Sequence, residues 1–405
     1  MTDQTQPGRW LTISVLLLAA MTIMANATIA PSLPGLKAHF ADVSGIDTLA
    51  GLIVTLPSLA IMLTAGLIGA MADRVDRQKL LLASALAYAV GGTTGLWAGD
   101  LSMILAGRVL LGLGVAGTMT LSMAWAADLW QGPARARFLG LQGAAMSGGG
   151  IVVMLGGGAL ATLHWRGAFA VYALVLPIAI FAYLMLAPHA RARAAKQAAG
   201  RGTAATRGPT EAFPWRAYAL VGPLAFVFMA SFYVMPTRLP FLLSDLGVHN
   251  AALTGAIMAS TTLASMPGAL LYGQVRRFLS PIAVFALSYL LMGAGLIAVS
   301  QAQGIGMVIF GSLLAGLGMG PSMPNYTTYF MGFVPPSQRG RASGLLTTAF
   351  FVGQFMSPLV SAPLVAQFGL GGAFAAMGTA LMALGALIAG INALRAGGML
   401  AQGAR

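Results

Sequence analysis

The chain has 405 residues, of which 58% are hydrophobic and only 8% are charged, and its mean hydropathy is +0.83. This composition excludes an ordinary soluble globular protein, because too few polar residues remain to form a water-facing surface. The lack of cysteine excludes disulfides and cysteine-ligated metals, and the net charge of +13 does not indicate nucleic-acid binding, since the basic residues lie in short loops between apolar runs.

Twelve apolar runs follow one another along the chain, each close to the roughly 20 residues that a helix needs to cross a bilayer. In the first half they cover residues 10–33, 48–71, 79–98, 102–129, 136–161 and 167–187. In the second half they cover residues 216–243, 251–274, 281–301, 304–333, 341–366 and 372–395. Residues 188–214, between the halves, are rich in Ala, Gly, Arg and Thr, which predicts a basic linker beside anionic lipid.

The basic residues of the short loops predict the orientation of the chain. One side of the predicted membrane holds most of them: Arg74, Arg77, Lys79, Arg135, Arg137, Arg276, Arg277, Arg339, Arg341 and the basic linker. The other side holds Lys37, Arg166 and Arg238. Because positively charged loops stay in the cytoplasm, we predict that both chain ends are cytoplasmic, in a bacterial inner membrane.

The two halves resemble each other at a shift of 204 residues. This register aligns Gly112-Leu-Gly114 with Gly316-Leu-Gly318, and Arg135-x-Arg137 with Arg339-x-Arg341. One inserted residue later, Gly167-Ala-Phe-Ala170 matches Gly372-Ala-Phe-Ala375. Parallel six-helix repeats are a known transporter plan, with the substrate site near the membrane midplane. We therefore predict an all-α membrane protein of twelve transmembrane helices in two pseudo-symmetric bundles, residues 1–187 and 215–405, joined by the linker 188–214.

Two segments resemble signatures of the major facilitator superfamily. The loop after the second run reads Gly69-Ala-Met-Ala-Asp73-Arg74-Val-Asp76-Arg77-Gln-Lys79, similar to the G-x-x-x-D-R-x-G-R-K/R loop of that superfamily. Asp76 replaces the usual glycine, so we expect a less tight turn. The fourth run contains Arg108-Val-Leu-Leu-Gly112-Leu-Gly114, similar to the R-x-x-x-G-x-G signature of the drug:proton antiporter branch.

The resemblance implies the major facilitator fold and closely packed helices at some of the glycines. The fifth run keeps the glycines of a further antiporter signature but lacks its proline. Close helix packing is expected at Gly112, Gly114, Gly150 and Gly156.

The resemblance also implies a conformational latch at the cytoplasmic face, made of Gly69, Asp73, Arg74, Arg77 and Asp128. Asp73 would lie near the N-terminus of the eleventh helix, where the helix dipole favours a carboxylate, and Asp128 would pair with Arg77 or Arg74. The repeat counterparts of Asp73, Arg77 and Asp128 are Arg277, Pro281 and Gly332, so we expect a latch in one half only. The alternative is that these charges only anchor the topology.

Arg108 lies about a turn and a half inside the fourth run, where an ionised side chain costs at least roughly 2.5–3.5 kcal/mol unless it is solvated or paired. Its repeat counterpart, Ser312, is neutral. The resemblance implies a role for Arg108 in substrate or proton handling. The alternative is that the side chain snorkels to the outer interface.

No Asp, Glu, His or Lys lies deep inside any of the twelve runs. Exporters of the resembled branch commonly carry a carboxylate in the first helix, where this chain has Thr22 and Asn26 on one helix face. A strongly cationic substrate is therefore disfavoured, and neutral, amphipathic or anionic compounds are favoured.

Further polar residues within the runs could line a substrate or proton pathway: Asn26, Gln142, Tyr233, Arg238, Asn325, Tyr326, Tyr329 and Gln354. Arg238 and Asp245 could instead pair with each other or form an outer gate, or they could anchor the helix at the interface. Pro321 and Pro324 predict a broken or flexible tenth helix.

We predict a secondary active transporter that exports a small amphipathic, neutral or anionic organic compound by alternating access, with or without protons as the coupling ion. We expect a monomer in membrane lipid, without a cofactor or metal. The alternative is an uptake carrier or exchanger for a small organic anion that uses Arg108. An enzyme or primary pump is disfavoured, because motifs such as H-E-x-x-H and G-x-x-x-x-G-K-[ST] are absent from the sequence.

Overall fold

The computed structural model describes residues 7–198 and 212–403, and describes the backbone alone for residues 26, 27, 73, 74, 132, 133, 136, 192–198 and 395–403. All regular elements in these described ranges are helices. The chain divides into two compact units, unit 1 (Met1–Thr210) and unit 2 (Glu211–Arg405).

Seven α-helices form unit 1: α1 (Arg9–Ala27), α2 (Leu33–His39), α3 (Ile46–Arg74), α4 (Arg77–Trp97), α5 (Leu101–Leu129), α6 (Gly132–Leu163) and α7 (Val175–Ala198). The first predicted span is interrupted, since the short 3-10 helix Ala30–Ser32 stands between α1 and α2. A longer 3-10 helix, Trp165–Leu174, leads into α7. The helix α7 continues to Ala198, so the predicted linker begins as helix.

Unit 2 contains α8 (Trp215–Phe232), α9 (Val234–Asp245), α10 (Ala251–Leu270), α11 (Tyr272–Phe278), α12 (Pro281–Ser300), α13 (Ile305–Met331) and α14 (Arg339–Gly403). The two last predicted spans both lie in α14. They are separated at Gly369, whose φ of 72° and ψ of 179° interrupt the helix. A positive φ of this kind favours glycine, which has no Cβ.

Ten helical segments of the described chain are long and apolar enough to cross a membrane. One of them, Pro336–Leu394, has 59 residues, and the kink at Gly369 divides it into two crossings. The helix α10 is long enough but less apolar, because it carries three threonines and two serines. With α10 included, helices occupy all twelve predicted spans, and the predicted fold class is confirmed.

The same helix packing recurs in both units. In unit 1, α3 and α4 pack on α5, and in unit 2, α10 and α12 pack on α13. A Cβ added at Gly114 would lie 2.6 Å from the Ser84 carbonyl oxygen, and one added at Gly318 would lie 2.6 Å from the Ser288 carbonyl oxygen. Gly318 and Ser288 are the residues that correspond to Gly114 and Ser84 at the shift of 204. The structure therefore reproduces the repeat found in the sequence.

The predicted break in the tenth span is wrong, because α13 runs without interruption through Pro321 and Pro324. Room for one proline ring comes from Gly268 on α10, where a Cβ would lie 2.8 Å from the Pro321 Cδ atom. The interruptions occur elsewhere, after Ala27 and at Tyr233, between α8 and α9.

Candidate functional site

The position of Arg108 is set by the start of α5. Asp100 caps this helix, because its carboxylate accepts hydrogen bonds from the Met103 backbone N–H (2.8 Å) and from the Ser102 hydroxyl (2.5 Å). The hydrogen bond from the Ser102 hydroxyl, with that from Met103, lowers the pKa of the Asp100 carboxyl. Arg108 follows two turns inside α5 and is 0% exposed to solvent. The snorkelling alternative is therefore wrong, since the side chain does not reach the surface of the protein.

Two aromatic rings enclose the Arg108 guanidinium. Its Cζ atom lies 4.8 Å from the ring centroid of Phe169 and 4.8 Å from that of Tyr172. Its Nη2 atom lies 3.4 Å from the Gly92 carbonyl oxygen, a long hydrogen bond. Glycine at positions 92 and 95 allows the close approach, because a Cβ at either position would clash with one of these two rings. Tyr88 lies next to Tyr172, with ring centroids 6.1 Å apart. We call Arg108, Phe169, Tyr172 and Tyr88 the arginine cage.

The arginine cage is also attached to the end of α1. Tyr88 donates a hydrogen bond to the Met21 carbonyl oxygen (2.9 Å), and Tyr172 donates one to the Ala25 carbonyl oxygen (3.0 Å). These carbonyls belong to the last turns of α1, where the partial negative charge of the helix dipole is concentrated. The side chain of Asn26, a predicted pathway residue, lies outside the described residues. The cage therefore joins α1, α4, α5 and the 3-10 helix before α7.

The hydrogen-bonding capacity of Arg108 is only partly used. Within the part of the chain that the structure describes, its Nε and Nη1 atoms have no hydrogen-bond partner. Buried donors without partners are costly, typically about 1–3 kcal/mol each and more when charged. Two cation–π contacts of about 0.5–2 kcal/mol each offset part of that cost. The site thus presents a desolvated cation with two donors that an anionic or polar group could satisfy.

The predicted pairing of Asp128 with Arg77 or Arg74 is confirmed for Arg77, and the role of this pair as a conformational latch stays a prediction. The Arg77 Nη1 atom lies 2.8 Å from the Asp128 Oδ2 atom. Arg77 also donates from Nε to the Ala72 carbonyl oxygen (3.2 Å), and its guanidinium lies 5.4 Å from the Trp125 ring centroid. Asp76, the departure from the family loop, caps α4 by accepting a hydrogen bond from the Gln78 backbone N–H.

The other latch residues are less informative. The side chains of Asp73 and Arg74 lie outside the described residues. A Cβ at Gly69 would make an ordinary 3.9 Å contact with Thr120.

Several predicted pathway residues use their polar atoms within their own unit. Gln142 donates to the Ser122 hydroxyl (3.3 Å). Asn325 donates from Nδ2 to the Pro281 carbonyl oxygen and accepts at Oδ1 from Tyr272, both at 3.0 Å. The Tyr326 hydroxyl is 2.6 Å from the Tyr289 hydroxyl. These contacts hold helices together, and a role in transport stays a prediction.

Arg238, the buried arginine of unit 2, joins α9 to α14. It is 2% exposed and donates to the Ser361 hydroxyl (3.0 Å) and the Pro358 carbonyl oxygen (3.1 Å). Asp245, its suggested ion-pair partner, is exposed at the end of α9. Because Arg238 is buried against α14, it does not act as the interfacial anchor that the sequence suggested.

The remaining predicted pathway residues of unit 2 are spread along α8, α13 and α14. Tyr233 is half-buried at the junction of α8 and α9. Tyr329 is half-buried, with ring centroids 5.5 Å from Phe285 and 5.2 Å from Phe333. Gln354 is buried, with its Nε2 atom 4.0 Å from the Met229 sulfur.

The glycine predictions are confirmed in α5 and fail at one position of α6. A Cβ at Gly112 would lie 2.6 Å from the Pro57 carbonyl oxygen, and Gly114 makes the contact with Ser84 described above. Gly150 is buried. A Cβ at Gly156 would meet open space in the described structure, whereas one at Gly157 would lie 2.5 Å from the Thr28 carbonyl oxygen. The close approach of α6 to the end of α1 is therefore made one residue later than predicted.

The sequence reasoning missed the aromatic members of the arginine cage. A signal was present in the repeat. At the shift of 204, Tyr88 corresponds to Met292, and after the inserted residue Tyr172 corresponds to Met377. Both tyrosines therefore change to methionine in the repeat in which Arg108 changes to serine.

Comparison with known proteins gives a consistent family. The Major Facilitator Superfamily profile matches residues 15–300 and 221–395. The chain is 23% identical over 341 residues to the sialic acid transporter NanX of Escherichia coli, a match that covers 82% of each protein. It is 34% identical to a triacylglyceride transporter of Mycolicibacterium smegmatis, over 30% of this chain and 21% of the relative. It is 31% identical to the class C tetracycline resistance protein of Escherichia coli, over 39% of this chain and 40% of the relative.

Solved structures show the same fold. The human organic anion transporter MFSD10 superimposes with a TM-score of 0.67 at 21% identity, over 95% of this chain and 100% of that one. A D-xylose-proton symporter superimposes with a TM-score of 0.73 at 15% identity, over 94% and 96% of the two chains.

Proposed function

Because the chain belongs to the major facilitator superfamily, we propose that this multi-pass membrane protein is a secondary transporter that exports a small amphipathic organic compound, neutral or anionic, by alternating access. The sequence places no carboxylate deep in any span, so a strongly cationic compound would find no charge to neutralise it there.

The single observation that carries the proposal is the state of Arg108. A buried guanidinium with unpartnered Nε and Nη1 atoms is costly inside a membrane, and the repeat fills the equivalent position with Ser312. Since the scaffold accepts a neutral residue there, packing does not explain the charge. A substrate carboxylate or hydroxyl that accepts hydrogen bonds from these two donors would explain the charge.

Movement of α1 offers the route to the guanidinium. The hydroxyls of Tyr88 and Tyr172 hold the last turns of α1 over the cage, and the helix ends directly after Ala27. Withdrawal of this end breaks two hydrogen bonds and opens the cage. Alternating access would supply such a movement.

The export direction is supported by the Arg108-x-x-x-Gly112-x-Gly114 signature and by the partial match to a tetracycline resistance protein. Protons would couple through the substrate itself or through the latch carboxylates Asp73 and Asp128. We propose a monomer in a bacterial inner membrane, with both termini cytoplasmic, as the loop charges indicate.

An uptake carrier for a small organic anion is the second candidate. It is favoured by the same Arg108 donors and by the 82% coverage of a sialic acid transporter.

Transport by purified protein in proteoliposomes tests both candidates. Counterflow is measured with radiolabelled organic anions, sugars and neutral dyes at imposed pH gradients. We expect export of neutral and anionic amphipaths, and we expect Arg108→Ala to reduce anion transport about 100-fold, which corresponds to about 2.7 kcal/mol.

The matched control is Arg166→Ala in the same unit. Arg166 already donates to the Gly95 and Ala98 carbonyl oxygens, so its loss should affect anions and neutral dyes alike. If Arg108→Ala abolishes anion uptake and no dye is exported by the wild type, the uptake carrier is correct and the export proposal fails.

A further inference from the structure

An open groove lies along unit 2 between α8 and the first half of α14. It has a volume of about 450 Å³, and its walls include Tyr218, Ala219, Pro223, Phe226, Thr348 and Val352. From Tyr218 to Phe226 the groove follows about 12 Å of α8, at 1.5 Å per residue. Its walls are almost entirely apolar, so the groove suits a slender hydrocarbon group.

A cation stands at one end of the groove. The Arg341 guanidinium lies 5.0 Å from the ring centroid of Phe213 and 5.0 Å from that of Trp215. The Trp215 ring lies 6.1 Å from the ring of Tyr218, the first wall residue. The hydroxyl of Tyr218 donates to the Leu345 carbonyl oxygen, one turn beyond Arg341 on α14. The aromatic contacts thus place the cation at the Tyr218 end of the groove, about two helical turns before Thr348, the first wall residue on α14.

Arg341 remains able to bind an anion in this position. Its side chain is exposed, and a cation–π contact uses the charge of the guanidinium without using its N–H donors. A guanidinium binds a carboxylate with two parallel hydrogen bonds. Charge and shape therefore specify an occupant with an anionic head and an apolar tail.

We propose that this groove binds a diffusible single-chain organic carboxylate, with its aliphatic tail between α8 and α14 and its carboxylate on Arg341. The proposal rests on the proposed export of amphipathic compounds and names their class. It places both the tail and the carboxylate of this compound on unit 2, so this binding site is separate from the arginine cage of unit 1.

Equilibrium binding of radiolabelled decanoate to the full-length protein in nanodiscs tests this assignment, with empty nanodiscs as the background. Decanol serves as the neutral analogue of the same length. We expect Arg341→Gln to weaken decanoate binding about tenfold, the loss of one charge-assisted contact, and to leave decanol binding unchanged. Ala219→Phe, which fills the groove from an exposed position, should weaken the binding of both compounds.

Arg339→Gln is the matched control, because Arg339 is exposed two residues earlier on the same helix. Equal effects of Arg339→Gln and Arg341→Gln would overturn the proposal, since only the general charge of the surface would then matter. So would binding unaffected by Ala219→Phe. A phospholipid that native mass spectrometry finds retained, and that decanoate does not displace but Ala219→Phe releases, would overturn it in favour of a structural lipid.

The assay measures binding without transport, so the two proposals can fail separately. If the protein exports its substrate but does not bind decanoate in the groove, only this inference is wrong. Binding that follows the expected pattern in a protein that exports nothing supports the groove and sinks the proposed function.

Discussion

Arg108 in unit 1 and Ser312 in unit 2 occupy equivalent positions on equivalent helices, yet their surroundings differ. The backbone contacts nearby are the same. A Cβ at Gly91 would lie 2.6 Å from the Gly107 carbonyl oxygen, and one at Gly295 would lie 2.5 Å from the Gly311 carbonyl oxygen. The two units thus bring the third and fourth helices of each repeat together in the same way.

The side chains above this shared backbone have opposite character. In unit 1 the site contains Arg108 with Gly92, Phe169 and Tyr172 around it, and Tyr88 lies beside Tyr172. In unit 2 the corresponding residues are Ser312, Met292, Leu296, Phe374 and Met377, all buried. The apolar version packs without a charge, and the polar version encloses a cation with two unused donors.

This difference separates folding from function within one molecule. Close-packed helices require the glycines, which both units retain. They do not require the cation, which only unit 1 has. A charge that costs energy in a membrane and is dispensable for packing is best explained by a ligand or proton that meets it during transport.

The largest expected effect tests the shared backbone. Gly112→Leu and Gly316→Leu each force a side chain against the neighbouring helix, at Pro57 and at Thr261. Overpacking of a well-packed core typically costs about 1–3 kcal/mol, and a clash with backbone atoms costs more. We expect the elution peak of folded protein to be mostly lost for both variants in fluorescence-detected size-exclusion chromatography.

Gly156→Leu is the matched control, since a side chain there would enter open space in the described structure, and it should elute like the wild type. If only one of the two glycine variants unfolds, the two units do not depend equally on these backbone contacts, and the conclusion that they share one scaffold is wrong.

The second prediction exchanges the cage itself. Replacement of Tyr88→Met, Arg108→Ser and Tyr172→Met gives unit 1 three residues of unit 2. Gly92 is kept, since a Cβ there would lie 2.4 Å from the Cβ atom of residue 172. Because unit 2 packs with those three residues, we expect the triple variant to keep its melting temperature, while transport of organic anions falls about 100-fold, or about 2.7 kcal/mol. Melting and counterflow are measured on the same preparation. A variant that unfolds would show that the cage is structural.

The sequence predicts the scaffold well, because its signals are periodic and redundant. Twelve long apolar runs, the 204-residue register and the loop charges each carry information over many residues. The glycines Gly112 and Gly114 were identifiable from the signature that resembles the antiporter branch, and the structure gives the physical reason, since a Cβ at either would lie within 3 Å of another backbone. An acid on an otherwise basic face predicts that Asp128 pairs with Arg77 or Arg74, and the structure selects Arg77.

The wrong predictions concern residues whose surroundings are set by other helices, far away in the sequence. Whether Pro321 breaks α13 depends on Gly268 of another helix, which leaves room for its ring. Whether Arg108 reaches the surface depends on Phe169 and Tyr172, more than 60 residues away. Asn325 and Tyr326 looked like cavity residues because polar groups in spans are rare, but neighbours on other helices satisfy them.

A smaller effect sharpens the role of the tyrosines. Tyr172→Phe keeps the ring over Arg108 and removes only the hydrogen bond to the Ala25 carbonyl oxygen. Hydrogen bonds between membrane helices contribute about 0.6 kcal/mol on average, so we expect amide hydrogen exchange at residues 25–32 to become about threefold faster.

Tyr289→Phe removes a similar hydroxyl contact, to the Leu224 carbonyl oxygen of unit 2. It should leave exchange at residues 25–32 unchanged. Equal acceleration by both variants would mean that the Tyr172 hydroxyl does not specifically stabilise the end of α1.

The last test concerns the Arg77–Asp128 ion pair of the proposed latch, which has no counterpart in unit 2 because Pro281 and Gly332 replace its charges. Asp128 is 42% exposed, so solvent screens the pair and its contribution should stay within about 0.2–1 kcal/mol. Asp128→Asn should therefore change the transport rate by no more than about fivefold, whereas Arg77→Gln should do more, since Arg77 is buried and also contacts Ala72 and Trp125. Initial rates of both variants decide the matter. If Asp128→Asn has the larger effect, the carboxylate does more than hold Arg77, and a role in proton coupling becomes the better explanation.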